Sequence, residues 1–553
     1  MNQADLFVKA LSGTVDLAFG VPGGAIEPLY DALHRAEQRG EMRLITTRHE
    51  SAAVTMAEGA FRASGRLALC CATTGPGALN MVTALASALE ECKPVLAVTA
   101  QTAQARFGRG ALQDSSDVGI DTTAVLAKVC KYSTTVTHPA QLLPKLRQAL
   151  AHAMSAPRGP VHLSVPADVF KAPIDEQLIA AQLAAISRVE DSVGAPLQLR
   201  PSQLAQLATH FERAQRPVLV LGEEATEEMP SILQFLARMN WPVVTTAAGH
   251  GAIDTDHPCY RGVVGFAGHS TAAATVAGAD AVLVLGSHYR DLCVAATPAL
   301  LDGRAMHIAP TSKSFAATVE GTLAIQACIA SALAVVGAAA APQAPLQRVD
   351  VRPVLGELPF PAPPAALNAV MNALALPLRG FFDAGNAWSW SLHYLPANEQ
   401  LESIRAMGLG QMAWAIPAAI GAAVADHDTR SVCVTGDGSW LMCSHELSVA
   451  VQQRIPVVFV ILNDCQLGMV KHGQAMGGAE PAGFHLPAVD FSQLARAQGA
   501  VAIRVSTRDD LSALSERLRE AAGGPVVIEL MVDPDFAPPM AERVRQLKEA
   551  QAS

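Results

Sequence analysis

Residues 433–464 read CVTGDGSWLMCSHELSVAVQQRIPVVFVILND. An apolar run ends in Gly436-Asp437-Gly438, a helical stretch follows, Pro456 breaks it, and a second apolar run ends in Asn463-Asp464. Strand, turn, helix and strand at this spacing predict two parallel strands joined by a crossover helix. In open parallel sheets, ligands bind beyond the carboxyl ends of the strands. Asp437 and Asn463 each stand at such an end, and adjacent strands lie about 4.8 Å apart, so both side chains reach one point. Gly436 and Gly438 permit a close backbone approach and present N–H groups at a helix start, which suits a phosphate. A carboxylate, an amide oxygen and a phosphate make the hard-oxygen site that Mg2+ prefers. The expectation is that Asp437 and Asn463 hold a divalent cation gripping a diphosphate. A Gly-Asp-Gly alone is most often a turn; the 24 residues between Gly438 and Asn463, with apolar runs on both sides, sharpen the reading.

The same pattern occurs once more. ALCCATTGPGALNMVTALASALEECKPVLAVTAQ, in the first third of the chain, repeats strand, Gly-x-Gly, helix, Pro and strand, with Gly75-Pro76-Gly77 in place of the acid-bearing turn. Two similar doubly wound units are expected, with different tasks. Between them, RPVLVLGEEA, WPVVTTAAGHGA and ADAVLVLGSHYRD predict a third α/β unit. The expected fold is α/β, with three doubly wound parallel-sheet domains at residues 1–170, 196–337 and 365–540 and linkers at 171–195 and 338–364.

A chain of 553 residues has room for about three domains of ~150–200 residues. Half of the residues are hydrophobic and only 16% are charged, which predicts large buried cores. A net charge of −10 without a Lys/Arg cluster argues against a nucleic-acid surface. Ten cysteines lie without CxxC spacing, which predicts reduced, mostly buried thiols and a cytoplasmic protein. The N-terminus lacks the pattern of a signal peptide. Residues Gly321 to Pro345 carry no charge, but the stretch is mostly Ala interrupted by Gln326 and Ser331, so it predicts a core helix running into an Ala/Pro linker, not a membrane span.

FGVPGGAIEPLYDAL, RHESAAVTMAEGAFRASG, TTGPGALNMVTALASA, ALQDSSDVG, GLGQMAWAIPAAIGA, GDGSWLMCSHELSVAV and ILNDCQLGMV cover nearly the whole chain. In order and spacing they resemble the acetolactate (acetohydroxyacid) synthase large subunits among the thiamine-diphosphate enzymes. The resemblance implies pyrimidine-binding, central Rossmann-like and diphosphate-binding domains. It implies that Glu50 hydrogen-bonds N1′ of the aminopyrimidine, a contact that favours the tautomer whose N4′ deprotonates C2. It implies that Met412 props the cofactor into its bent shape. Asp437, Asn463 and the backbone carbonyl of Cys465 become the Mg2+ ligands, and Gly436, Gly438 and Ser439 meet the diphosphate. Gly23, Gly24 and Gln113 become active-site positions of the first domain. The implied assembly is a homodimer or homotetramer with active sites at the subunit interface, and no nucleic acid or membrane partner. The implied reaction is decarboxylation of a 2-oxo acid, with pyruvate as first choice. Transfer of the acyl-anion equivalent to a carbonyl acceptor follows; release as an aldehyde, or a C–C lyase, is the alternative. A non-catalytic paralogue is the remaining reading, and an acid at both ends of one cofactor argues against it.

The sequence also departs from that pattern. Thr55 stands where the synthases have His. Glu223 and Glu224 replace a Gly-rich loop that helps to hold FAD and would repel its diphosphate, while TTAAGHGAIDTDHP and GVVGFAGHSTA still resemble flavin-facing loops, so FAD is left open and weighted against. Arg106 and Arg109 on one loop, and Lys471 and His472 on another, are candidate substrate contacts. These departures point to a specialised carboligase with an unusual acceptor.

Overall fold

Short apolar runs bounded by Gly, Pro and polar residues form strands, and the amphipathic or Ala-rich stretches between them form helices. The computed structural model describes residues 1–174, 197–290, 302–311, 323–353, 360–398, 400–521 and 523–541, with isolated positions 183, 186, 292, 300, 544, 545 and 548. Most of the linker expected at 171–195, and residues 354–359 of the second linker, lie outside the described residues.

Three six-stranded sheets result, and every pair of neighbouring strands runs parallel. The first holds β1 (Leu17–Gly20), β2 (Arg43–Thr46), β3 (Leu69–Ala72), β4 (Leu96–Gln101), β5 (Tyr132–Thr135) and β6 (Val161–Pro166) in the order β2-β1-β3-β4-β6-β5. The second holds β7 (Pro217–Leu221), β8 (Val243–Thr246), β9 (Tyr260–Val264), β10 (Ala281–Leu285), β11 (Ala305–Ala309) and β12 (Leu323–Gln326), ordered β12-β11-β10-β7-β8-β9. The third holds β13 (Leu378–Phe382), β14 (Leu401–Ile404), β15 (Arg430–Gly436), β16 (Val458–Asn463), β17 (Val501–Val505) and β18 (Val526–Met531), ordered β14-β13-β15-β16-β18-β17. The first and third sheets share one order strand for strand, the structural counterpart of their sequence echo. The second has the order of dinucleotide-binding sheets.

The uncharged stretch at 321–345 divides: β12 comes first, and only Ile329–Ala339 is helical. Among the described residues, no helix is long and apolar enough to cross a membrane.

The first and third domains share a core. The helix Glu50–Ser64 is buried on nearly all sides of its first three turns, and the helix Ala415–Ala425 is buried along its whole length. They touch at glycines: a Cβ on Gly421 would stand 2.0 Å from the Met56 carbonyl oxygen, and one on Gly59 would stand 2.1 Å from that of Ala418. The obstacle is backbone in each case, so no rotamer change relieves it. Gly421→Ala therefore forces the helices apart and is expected to cost at least the ~1–3 kcal/mol of an overpacked core. A fall in the thermal unfolding midpoint checks this; an unchanged midpoint contradicts it.

Candidate active site

The opening motif folds as its spacing predicts. Asp437 begins a helix (Asp437–Cys443) directly at the end of β15, and Asn463 ends β16, its hydrogen-bonded neighbour. Both side chains are buried. Asp437 Oδ1 accepts the Gly438 N–H at 2.7 Å. Asn463 Nδ2 donates to Glu529 Oε1 at 2.8 Å and to the Val489 carbonyl at 3.3 Å. That leaves Asn463 Oδ1 on the other side, where it accepts the Cys465 N–H at 3.3 Å. Glu529 thus turns the oxygen of the amide toward the Asp437 side. Cys465 has φ +56°, a left-handed turn that swings the chain around this point.

A cavity of about 270 Å3 opens beside these residues, lined by Gly436 to Ser439, Met412, Asn386, Trp388, Asp464 and the segment 466–470, among others. Met412 Cε lies 3.7 Å from where a Cβ on Gly438 would stand, so the Met412 side chain and the Gly436–Ser439 turn face each other. No Lys, Arg or His lines the cavity among the described residues, yet two carboxylates do. Burial pushes the Asp437 carboxyl up to about 6. Burial and the nearby charge of Asp437 push Asp464 up to about 7. Desolvated carboxylates beside an amide oxygen, with no protein cation to answer them, form a donor set of hard oxygens that fits a divalent cation.

Glu50 lies in the other half. It opens its helix from a His49 cap, is 8% exposed, and accepts Asn80 Nδ2 at 2.9 Å on Oε2. Oε1 faces the Gly75-Pro76-Gly77 turn, 3.2 Å from a Cβ placed on Gly77. The start of this helix is tied to the third domain, because the Arg48 N–H donates to Glu446 at 3.1 Å. Gly23 packs against Thr73, and Gly24 has open space around it. Gln113 is exposed with φ +58°, and its carbonyl accepts the Thr74 hydroxyl at 2.9 Å. Within one chain none of Gly23, Gly24, Glu50 or Gln113 lines the cavity beside Asp437. Arg106 and Arg109 are exposed on their loop. Lys471 is engaged elsewhere, donating to Asp535 at 2.6 Å, and His472 is buried; it is their neighbours Met469 and Val470 that line the cavity. Thr55, at the departing position, folds its hydroxyl back onto the Ser51 carbonyl at 3.1 Å.

Sequence reasoning passed over Asn80, Asn386, Asp464 and Glu529. Asp464 stands next to a residue already singled out, and its charge at a strand end was a usable signal. Asn386 follows Gly385 in what reads as a plain turn. Asn80 and Glu529 become visible only through their hydrogen-bond partners.

Comparison with known proteins shows the family. The thiamine pyrophosphate enzyme N-terminal TPP binding domain matches residues 1–120, the central domain matches 204–336, and the C-terminal TPP binding domain matches 383–530. A probable acetolactate synthase large subunit of Methanocaldococcus jannaschii is 30% identical, across 98% of this chain and 93% of its own. The acetolactate synthase of Arthrospira platensis is 31% identical over 94% and 91%, and the isozyme 2 large subunit of Escherichia coli is 28% identical over 96% of each. The chain belongs to the thiamine-diphosphate enzyme family, in its acetolactate-synthase-like branch. It is a thiamine-diphosphate-dependent enzyme.

The family's flavin does not fit the central domain. Strand order reverses between β7 and β10, where a dinucleotide phosphate would sit. There a Cβ on Gly222 would stand 2.3 Å from Ser287 Cα, so the two loops close on each other. Glu223 and Glu224 clamp His288 at 3.2 and 3.1 Å. Burial opposes a charge on His288, but Cys92 and both glutamates outweigh it and push its pKa up to about 10. Arg290 continues the network to Glu91 at 3.0 Å, and Glu91 meets Arg62 at 3.1 Å and the Gly408 N–H at 2.6 Å. The place of a phosphate is taken by an acidic ion-pair network that joins all three domains.

Proposed function

We propose that this enzyme is a carboligase of the acetolactate synthase kind, which decarboxylates a 2-oxo acid, pyruvate in the first instance, and joins the acyl unit to a carbonyl acceptor. The observation that carries the reading is the pairing, across one apolar cavity, of a hard-oxygen cluster at Asp437 with the Met412 prop, while a buried carboxylate, Glu50, is held ready in another domain. When bound, thiamine diphosphate supplies a nucleophilic C2 carbon and an electron sink for the decarboxylation. Asp437, Asn463 and the Cys465 carbonyl would hold Mg2+, and Gly436, Gly438 and Ser439 would meet the diphosphate. Glu50 would meet the pyrimidine through Oε1, since Asn80 donates to Oε2, and there it would hold a proton. Met412, which lines the cavity, would support the bound cofactor from its apolar side. Trp388, Leu467 and Met469 make one side of the cavity apolar, a lining that disfavours protonation by water and favours a carbonyl acceptor.

Because Glu50 and its neighbours do not reach the Asp437 cavity within one chain, the active site is completed by a second copy, as a homodimer or a dimer of dimers. Unpaired buried cysteines suit a reducing cytoplasm. Flavin has no part in this reading. Protein incubated with FAD and then dialysed is expected to show no flavin absorbance, and stoichiometric retention would overturn that point.

Product analysis tests the reaction. Protein with thiamine diphosphate, Mg2+ and pyruvate, alone and with a panel of aldehydes and 2-oxo acids, is expected to yield a new hydroxyketone by mass spectrometry. Free aldehyde and CO2 alone would establish the non-ligating decarboxylase instead.

A further inference from the structure

Asp383 stands one residue past the end of β13, completely buried. It has no role in the chemistry above and does not line the cavity. Its carboxylate is nevertheless one of the most heavily used acceptors in the third domain. Oδ2 accepts the Ala413 N–H at 2.9 Å and the Thr435 hydroxyl at 2.8 Å. Oδ1 accepts the Ala415 N–H at 3.3 Å, and the nearby Ser439 hydroxyl and Ala384 backbone favour the ionised form of this carboxylate against its burial. None of these donors is a cation. A buried carboxylate answered only by neutral donors is costly to keep, so its retention calls for a positional reason.

The donors supply that reason. Ala413 immediately follows Met412 and has φ +65°, a left-handed conformation that costs a residue with a Cβ about 1–2 kcal/mol. Its N–H bond to Asp383 holds the chain in that turn, so that Met412 faces the cavity before the Ala415–Ala425 helix begins. Thr435 immediately precedes Gly436-Asp437, and Ser439 lies in the turn of helix that follows. One carboxylate therefore spans the gap between the apolar prop and the diphosphate turn.

We infer that Asp383 is a positioning residue that fixes the distance of Met412 from the Gly436–Ser439 turn, and so sets the bend of the bound cofactor without touching it. This rests on the cofactor reading above. In Asp383→Asn an NH2 group replaces one oxygen and meets donors, so the prop is released while size and fold are kept. A misplacement of about 1 Å at a reacting centre costs on the order of 10²-fold.

The test uses the full-length protein with thiamine diphosphate and Mg2+. Cofactor affinity is read from the fluorescence of Trp388 and Trp390, which line the cavity, and C2 reactivity is read by NMR from exchange of the C2 proton of bound cofactor. For Asp383→Asn, exchange and kcat are expected to fall together by ~10²-fold while affinity changes by less than ~10-fold. Thr435→Val removes one donor only and is expected to lose ~10-fold in exchange; it serves equally if Asp383→Asn does not fold. The double variant with Met412→Ala is expected to exchange no more slowly than Met412→Ala alone. Multiplicative losses in the double variant, or wild-type exchange in both Asp383→Asn and Thr435→Val, overturn the inference alone. A wild-type protein that binds no thiamine diphosphate overturns the cofactor reading and this inference with it.

Discussion

Glu50→Gln is expected to lower turnover by about 10²–10⁴-fold while leaving cofactor affinity and thermal stability close to those of the wild type, because a positioned proton-transfer group contributes on that scale. The isosteric amide keeps an oxygen for Asn80, which donates to Glu50 Oε2 at 2.9 Å, so the local fold persists. What is lost is a carboxyl group able to share a proton with the pyrimidine. The helix itself is held by other means, namely the Arg48–Glu446 contact at its start and the Gly59/Gly421 crossing along it. Turnover is measured beside fluorescence titration with thiamine diphosphate. Activity within about tenfold of wild type would remove Glu50 from the chemistry.

Asp437→Ala is expected to act on binding rather than on turnover. Losing one of three ligands from the hard-oxygen set should weaken Mg2+-dependent cofactor binding by about 100-fold or more, since even outer partners of a metal site are worth 10–100-fold. The apo protein should unfold at the same temperature as wild type or higher. Asp437 is 3% exposed and has no cationic side chain beside it in the cavity, and relieving an unanswered buried carboxylate is neutral or stabilising. A titration with thiamine diphosphate at fixed Mg2+ and a thermal scan of the apo protein test both halves. Unchanged affinity would place the cation elsewhere; a large loss of apo stability would make Asp437 structural.

These two residues also mark how far the sequence could be read. Asp437 and Asn463 were legible because a parallel sheet converts sequence order into place: the ends of neighbouring strands must lie side by side, and β15 and β16 do. The repeated strand-turn-helix pattern announced two matching domains, and their sheets share one strand order. The uncharged stretch at 321–345 was only half legible, because Ala-rich sequence does not distinguish the β12 strand from the helix after it. Glu223 and Glu224 signalled a poor phosphate site, but not what replaced it. Their partners His288 and Arg290 come from another strand end, and Glu91 comes from another domain.

The three α/β units and the turn at Asp437 could be read from local periodicity and fixed spacing along one chain, whereas Glu50 stood out only through the family resemblance of its segment. Packing between distant segments alone brings Glu529 to Asn463, Asp383 to both Ala413 and Thr435, Asn80 to Glu50, and Glu223 and Glu224 to His288. Hydrogen bonds and close approaches between distant segments are set by how sheets and helices pack, and no spacing in the chain encodes them.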